Sequence, residues 1–175
     1  DGNPATDNIV VSWYDGAEWI SYDIDEATGA RSAYNPDAAT LDMWATTPPT
    51  VWDDDGDMDL AFANIFNNTV DIVANSRDGS FTVAQTFSGQ SGAQALASGD
   101  WDMDLDLDLA VANSDAGSVV ILANDSTGSF SVAETVTGLP GATALTAGDW
   151  NGDGTIDLAV ASASASSVVV LSNQP

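Results

Sequence analysis

Along this chain apolar residues gather in short runs of four to six positions, and no eleven-residue window repeats with the 3.6-residue period of an amphipathic helix. Ile9-Val10-Val11-Ser12-Trp13-Tyr14 and Trp19-Ile20-Ser21-Tyr22 are rich in β-branched and aromatic residues. Asp15-Gly16 lies between them, a pairing that predicts a hairpin over 7–25. Val119-Val120-Ile121-Leu122 is apolar on both faces, as expected for a strand stacked between neighbouring sheets. The pattern predicts an all-β chain.

The runs repeat without a gap at a spacing of 49 residues: Leu158-Ala159-Val160-Ala161 answers Leu109-Ala110-Val111-Ala112 and Leu60-Ala61-Phe62-Ala63. Gly128-Ser129-Phe130 likewise answers Gly79-Ser80-Phe81, and Trp150 answers Trp101 and Trp52. Self-similarity of this length marks units that bury their apolar faces by stacking. Each unit reads as strand, acidic loop, strand, turn, strand, hairpin, strand; in the second the strands fall at about 93–98, 107–113, 118–124 and 130–136. One domain over 1–175 is predicted, with a half-repeat and excursion at 7–40 and repeats at 41–90, 91–139 and 140–175, the last incomplete. Residues 26–40 have no counterpart in the later repeats and read as a surface excursion. Met43 to Thr50 occupies a first-strand position but contains Pro48-Pro49, and proline cannot donate to a ladder.

The acidic loop carries the chemistry. Asp149, Asn151, Asp153 and Asp157 stand at positions 1, 3, 5 and 9, with Gly154 at position 6 and Thr155 offering a backbone carbonyl at position 7. Alternate residues of a tight loop aim oxygens at one centre, and Ca²⁺ takes six to eight oxygen ligands. An EF-hand or dockerin-like loop needs an acid at position 12, where Val160 stands, and flanking helices. The second loop supplies Asp100, Asp102, Asp104, Asp106 and Asp108; the first supplies Asp53, Asp55, Asp57 and Asp59. Val51 replaces the first carboxylate of the first loop, with Asp54 or Asp57 as a partial substitute. Leu105 replaces the glycine of the second, which predicts a strained turn or a different path. The order of expected quality is therefore third, second, first, with two to three Ca²⁺ ions in all.

The Asp-x-Asp/Asn-x-Asp-Gly-x-x-Asp-Leu loop leading into a short apolar strand resembles the FG-GAP/VCBS repeats over roughly 41–175. That resemblance implies four-stranded antiparallel blades of an integrin-α-type β-propeller, calcium held between two strands, and an extracellular or cell-surface setting. The usual ring of about seven blades needs far more sequence than this chain has.

Composition narrows the partners. The net charge is −25, with Arg31 and Arg77 the sole cations, and thirteen of the 27 acids lie in the three loops. Three divalent ions would still leave about −19, a surface that repels phosphate backbones and anionic lipid. Nucleic acid is excluded as a partner on that ground. No apolar run reaches 18 residues, so no helical membrane insertion is expected. Cysteine is absent, so no disulfide restrains the fold and bound cations are the expected clamp. Histidine and lysine are also absent, which removes most general bases and covalent nucleophiles. A carboxylate pair for glycoside hydrolysis is disfavoured because glutamates are limited to Glu18, Glu26 and Glu134 and calcium claims most clustered aspartates. The expectation is a protein that is not an enzyme.

The third repeat stops after its third strand, at 168–171, which leaves an apolar edge open to strand addition. Either the N-terminal hairpin closes that blade, or other copies join head to tail into a fibre or oligomer; trimming from a longer protein is the competing account. The leading functional expectation is a secreted, calcium-stabilised structural or adhesive module. The alternative is a carbohydrate-binding propeller-type lectin using Trp13, Tyr14, Trp19, Tyr22, Tyr34 and Trp44. Asn67 and Asn124 head two glycosylation sequons near predicted strand ends.

Overall fold

A computed structural model describes residues 8–14, 19–25, 31–33, 43–46, 51–53, 55–56, 58–76 and 80–174, the first four segments as backbone. The turn expected at Asp15-Gly16, the Pro48-Pro49 pair, Asp54, Asp57, Arg77 and Gly79 lie outside the described residues, as do the side chains of the N-terminal aromatics.

Fourteen strands form four antiparallel sheets, and the described residues contain no helix. The first sheet is β1 (Asn8–Tyr14), β2 (Trp19–Asp25) and β3 (Arg31–Ala33), in that order. Blade 1 is β4 (Met43–Thr46), β5 (Leu60–Asn64), β6 (Thr69–Asn75) and β7 (Phe81–Ser88). Blade 2 is β8 (Ala93–Gly99), β9 (Asp108–Asn113), β10 (Ser118–Asn124) and β11 (Phe130–Thr137). Blade 3 comprises β12 (Ala142–Gly148), β13 (Asp157–Ser162) and β14 (Ser167–Leu171). The fold is all-β, built from tandem propeller-like blades at the predicted spacing.

Within the stretch read as a surface excursion, β3 pairs with β2, setting Ala33 opposite Tyr22 and Arg31 opposite Ile24. Among the described strands, β1–β3 make their own sheet and β14 pairs with β13 alone. Met43–Thr46 forms a short strand against β5 despite its poor sequence, and the prolines fall after its end.

The repeat Leu-Ala-Val-Ala explains how the blades stack. Along a strand, successive side chains face opposite ways. Leu109 and Val111 join Trp52, Ala61, Ala63, Val70 and Ile72 in the core between blades 1 and 2. Ala110 and Ala112, on the other face of β9, join Leu158 and Val160 in the core between blades 2 and 3. The second strand of blade 2 thus turns its large residues toward blade 1 and its alanines toward Leu158 and Val160 of blade 3, so these second strands interlock large against small. Every residue of β9 is buried, whereas β11 is exposed along most of its length, as befits the outermost strand. First strands carry the same register shift in all three blades, at Met43/Ala45, Ala93/Ala95 and Ala142/Ala144. Such bulges bend a strand, and here each one precedes the approach to an acidic loop.

Candidate metal centre

Each acidic loop joins the first strand of a blade to the second, so both its ends are anchored in a ladder. The second loop keeps the backbone path of the third despite lacking glycine. Gly152 and Gly154 have φ of 79° and 89°, and Met103 and Leu105, one repeat earlier, have φ of 65° and 81°. Of the two expected outcomes for Leu105, strain is therefore the one observed, and the path is retained. A left-handed conformation costs an L-residue roughly 1–2 kcal/mol. The side chain of Leu105 is 89% exposed and gains nothing from packing in return.

The position-9 aspartates are the anchors. Asp59, Asp108 and Asp157 are all buried, and each accepts two backbone amides. One carboxylate oxygen takes the amide of the loop tryptophan: Trp52 to Asp59 at 3.0 Å, Trp101 to Asp108 at 2.9 Å, Trp150 to Asp157 at 3.0 Å. The other takes the amide of an asparagine that ends the third strand or follows it by two residues: Asn75 at 2.9 Å, Asn124 at 3.0 Å, Asn173 at 2.9 Å. Each bond leaves the carboxylate oxygen a further lone pair.

Among the described residues, Asp100, Asp102 and Asp108 bring one carboxylate oxygen each to within 4.8 Å of one another. Oxygens on opposite sides of one Ca²⁺ stand up to about 5 Å apart, so the cluster has the span of one coordination sphere. Asp100 Oδ1 is buried with no hydrogen-bond partner, while its other oxygen accepts the Leu105 amide at 3.2 Å. Three converging carboxylates, one of which keeps a buried oxygen without a partner, are a donor set suited to a hard divalent cation. Burial pushes the Asp108 carboxyl up, opposed by the Asn124 and Trp101 amides and reinforced by the charges of Asp102 and Asp104. Desolvation and then the charges of Asp104 and Asp100 do the same to Asp102, against the amide of Asp104. Asp104 and Asp106 lie in the same loop but outside this three-residue cluster. Asp104 instead accepts the Asp106 amide at 3.0 Å.

The third loop satisfies its oxygens internally. Asp149 accepts the amides of Gly152 at 2.6 Å and Gly154 at 3.0 Å, and Asn151 accepts that of Asp153 at 2.8 Å. Asp153 accepts from the hydroxyl and amide of Thr155, which hold its carboxyl below the usual range. The Thr155 hydroxyl also reaches the Asn173 carbonyl at 3.1 Å. In the first loop Asp53 accepts the Asp55 amide at 3.0 Å. That bond pulls Asp53 down, but burial and the neighbouring acids Asp55 and Asp59 leave it raised overall. The loop backbone also bridges Asp53 to Thr127 of blade 2.

Of the two sequons, Asn67 is exposed in the β5–β6 turn. Asn124 is 5% exposed and donates its side-chain nitrogen to the Trp52 carbonyl at 2.8 Å, so the atom a glycan requires is enclosed and engaged. The expectation of access at Asn124 is corrected accordingly. Sequence reasoning passed over Asn75, Asn124 and Asn173 as loop anchors, although they too recur every 49 residues.

The profile of the FG-GAP-like repeat matches residues 52–111 and 100–160. No curated protein matches the chain. Among solved structures, similarity is found to a candidate 6-phosphogluconolactonase from Bacteroides fragilis, at 14% identity and a TM-score of 0.45, covering 91% of this chain and 43% of that one. A protein from Lactobacillus plantarum is similar at 14% identity and a TM-score of 0.42, covering 94% of this chain and 66% of that one. The chain thus spans less than half of the first and under two thirds of the second. Repeats of the matched family are typical of extracellular and surface proteins, and among the described residues no helix is long and apolar enough to cross a membrane. With two overlapping matches across most of its blades, the chain is a member of the FG-GAP-like repeat family.

Proposed function

We propose that this chain is a calcium-stabilised extracellular module whose stacked blades serve a structural or adhesive role and associate with further copies of itself. The observation that carries the calcium reading is the cluster of Asp100, Asp102 and Asp108, in which Asp100 keeps a buried Oδ1 without a partner. Asp100, Asp102 and Asp108 would hold the ion in the second loop, and the oxygens of Asp149, Asn151, Asp153 and Asp157 with the Thr155 carbonyl would do so in the third. Calcium bound there supplies charge neutralisation and a rigid cross-link between two strands of one blade. The chain's own contribution is position: strand ends fix the loop, and Asp59, Asp108 and Asp157 tie it to the third strand. No histidine, cysteine or lysine is present to support common acid–base or covalent chemistry, which favours a scaffold over a catalyst.

Self-association is supported by β14, which pairs with β13 alone among the described strands and carries exposed Val168 and Val170, and by the separately exposed Trp150. The equivalent Trp52 is covered, packing edge-on against Phe130 of the next blade at 4.8 Å. Titration calorimetry with CaCl₂ tests the first part, with two to three ions expected per chain. Light scattering and electron microscopy in calcium test the second. Uniform monomers would remove self-association and leave the calcium-stabilised module standing.

A further inference from the structure

We infer that Asn124 and Asn173 are positioning residues that couple cation binding in one loop to binding in the loop of the preceding blade. The inference rests on the calcium reading above and concerns what joins the sites. Asn173 makes two bonds that lead to different loops. Its backbone amide donates to Asp157 of the third loop at 2.9 Å, and its side-chain nitrogen donates to the Trp101 carbonyl of the second at 2.8 Å. The Trp101 amide in turn donates to Asp108, the buried member of the second-loop cluster. One residue and one tryptophan backbone therefore link Asp157 to Asp108.

The same chain of bonds recurs one blade earlier. Asn124 donates its amide to Asp108 and its side-chain nitrogen to the Trp52 carbonyl at 2.8 Å, and the Trp52 amide donates to Asp59. The Asn124 Oδ1 is buried without a partner, so the bond to Trp52 is the polar tie of that side chain. Asn75 shows the alternative arrangement, its side-chain nitrogen turned onto Met58 of its own loop at 3.2 Å.

A cation drawing Asp157 into its coordination sphere fixes the carboxylate that orients Asn173, and Asn173 fixes the Trp101 backbone from which the second loop departs. Ordering one loop thereby removes part of the ordering cost of the next. Coupling of this kind is reciprocal between sites.

Terbium(III), a luminescent stand-in for calcium, reads the test, since Trp101 and Trp150 stand at position 2 of their loops as sensitisers. The third loop is disabled by Asp149→Ala with Asp153→Ala, and calcium affinity at the second is measured by terbium displacement. In the parent chain, disabling the third loop is expected to weaken the second roughly three- to tenfold, the range one net hydrogen bond is worth. In an Asn173→Ala background the same change should leave second-loop affinity within about 1.5-fold, because the link is already cut. Asn173→Asp retains the size and backbone amide while losing the donor, and it carries the test if the alanine variant does not fold. Unchanged second-loop affinity in the parent, or a loss that persists in both Asn173 variants, overturns the coupling while leaving calcium binding intact. No terbium or calcium uptake by the parent at all overturns the calcium reading and the coupling with it.

Discussion

Asp108→Asn separates the two duties assigned to the position-9 aspartate, namely anchoring the backbone and contributing to the cation site. Asp108 is 0% exposed and accepts amides on both oxygens, from Trp101 at 2.9 Å and Asn124 at 3.0 Å. Asparagine preserves the shape but offers one acceptor, so its NH₂ meets one of those N–H donors head on. Losing a hydrogen bond to a charged acceptor costs about 1.5–3 kcal/mol, and stranding a buried donor costs about 1–3 kcal/mol with substantial overlap between the two. Relief from burying a charge offsets part of this, since the native carboxyl is already pushed up by desolvation. A net loss of about 2–4 kcal/mol is expected, or roughly 5–15 °C in melting temperature for a chain of this length. The assay is thermal unfolding by circular dichroism in EDTA, where no cation contributes. Asp102→Asn is the control: it faces solvent and anchors no strand, so its EDTA melting temperature should match the parent while its response to calcium shrinks. If Asp108→Asn melts with the parent in EDTA, or if Asp102→Asn costs as much, the anchoring argument fails.

Leu105→Gly should stabilise the second loop by up to about 1 kcal/mol, because relief of a left-handed leucine exceeds the added freedom of glycine in the unfolded chain; urea denaturation measures it. Gly92→Ala should destabilise by more than about 2 kcal/mol, because φ is +73° and a Cβ there would meet the Asp115 amide nitrogen at 2.5 Å; the same titration checks it. Asp71 is buried on β6, and desolvation pushes its carboxyl up against the hydroxyl bonds of Thr86 and Thr69. The folded chain therefore binds this proton more tightly than the unfolded chain, so its stabilising effect is complete below the unfolded pKa and is lost as pH rises through the folded one. Asp71→Asn should accordingly raise the melting temperature at pH 7 relative to the parent, with the advantage vanishing near pH 4; melting curves across that range decide it.

Much of the fold was readable because the 49-residue repeat carries its own register. Leu109-Ala110-Val111-Ala112 states both the strand and the asymmetry of its faces, and the strands of blade 2 lie within about a residue of their expected limits. Third strands and loop aspartates were equally legible, since oxygens at positions 1, 3, 5 and 9 have few other reasons to recur. What sequence left open were matters of tertiary partnership. Nothing local shows that Asn124 reaches 72 residues back to the Trp52 carbonyl, and that contact turns an apparent glycan acceptor into an internal strut. Nor does local sequence decide whether Leu105 bends the loop or submits to it; the anchors at both loop ends decide that, and leucine adopts the glycine conformation. Which carboxylates draw together also escaped the ligand count. The third loop matches the motif best yet spends its oxygens on its own amides, while the second leaves Asp100 Oδ1 unmatched.

Calorimetric melting of the full chain in calcium and again after EDTA addresses cation clamping most directly. At ~100 times its Kd, each bound ion contributes about 2.7 kcal/mol, so two ions should raise the transition by roughly 10 °C or more, and restoring calcium should recover it. Superimposable traces in calcium and EDTA would contradict the account.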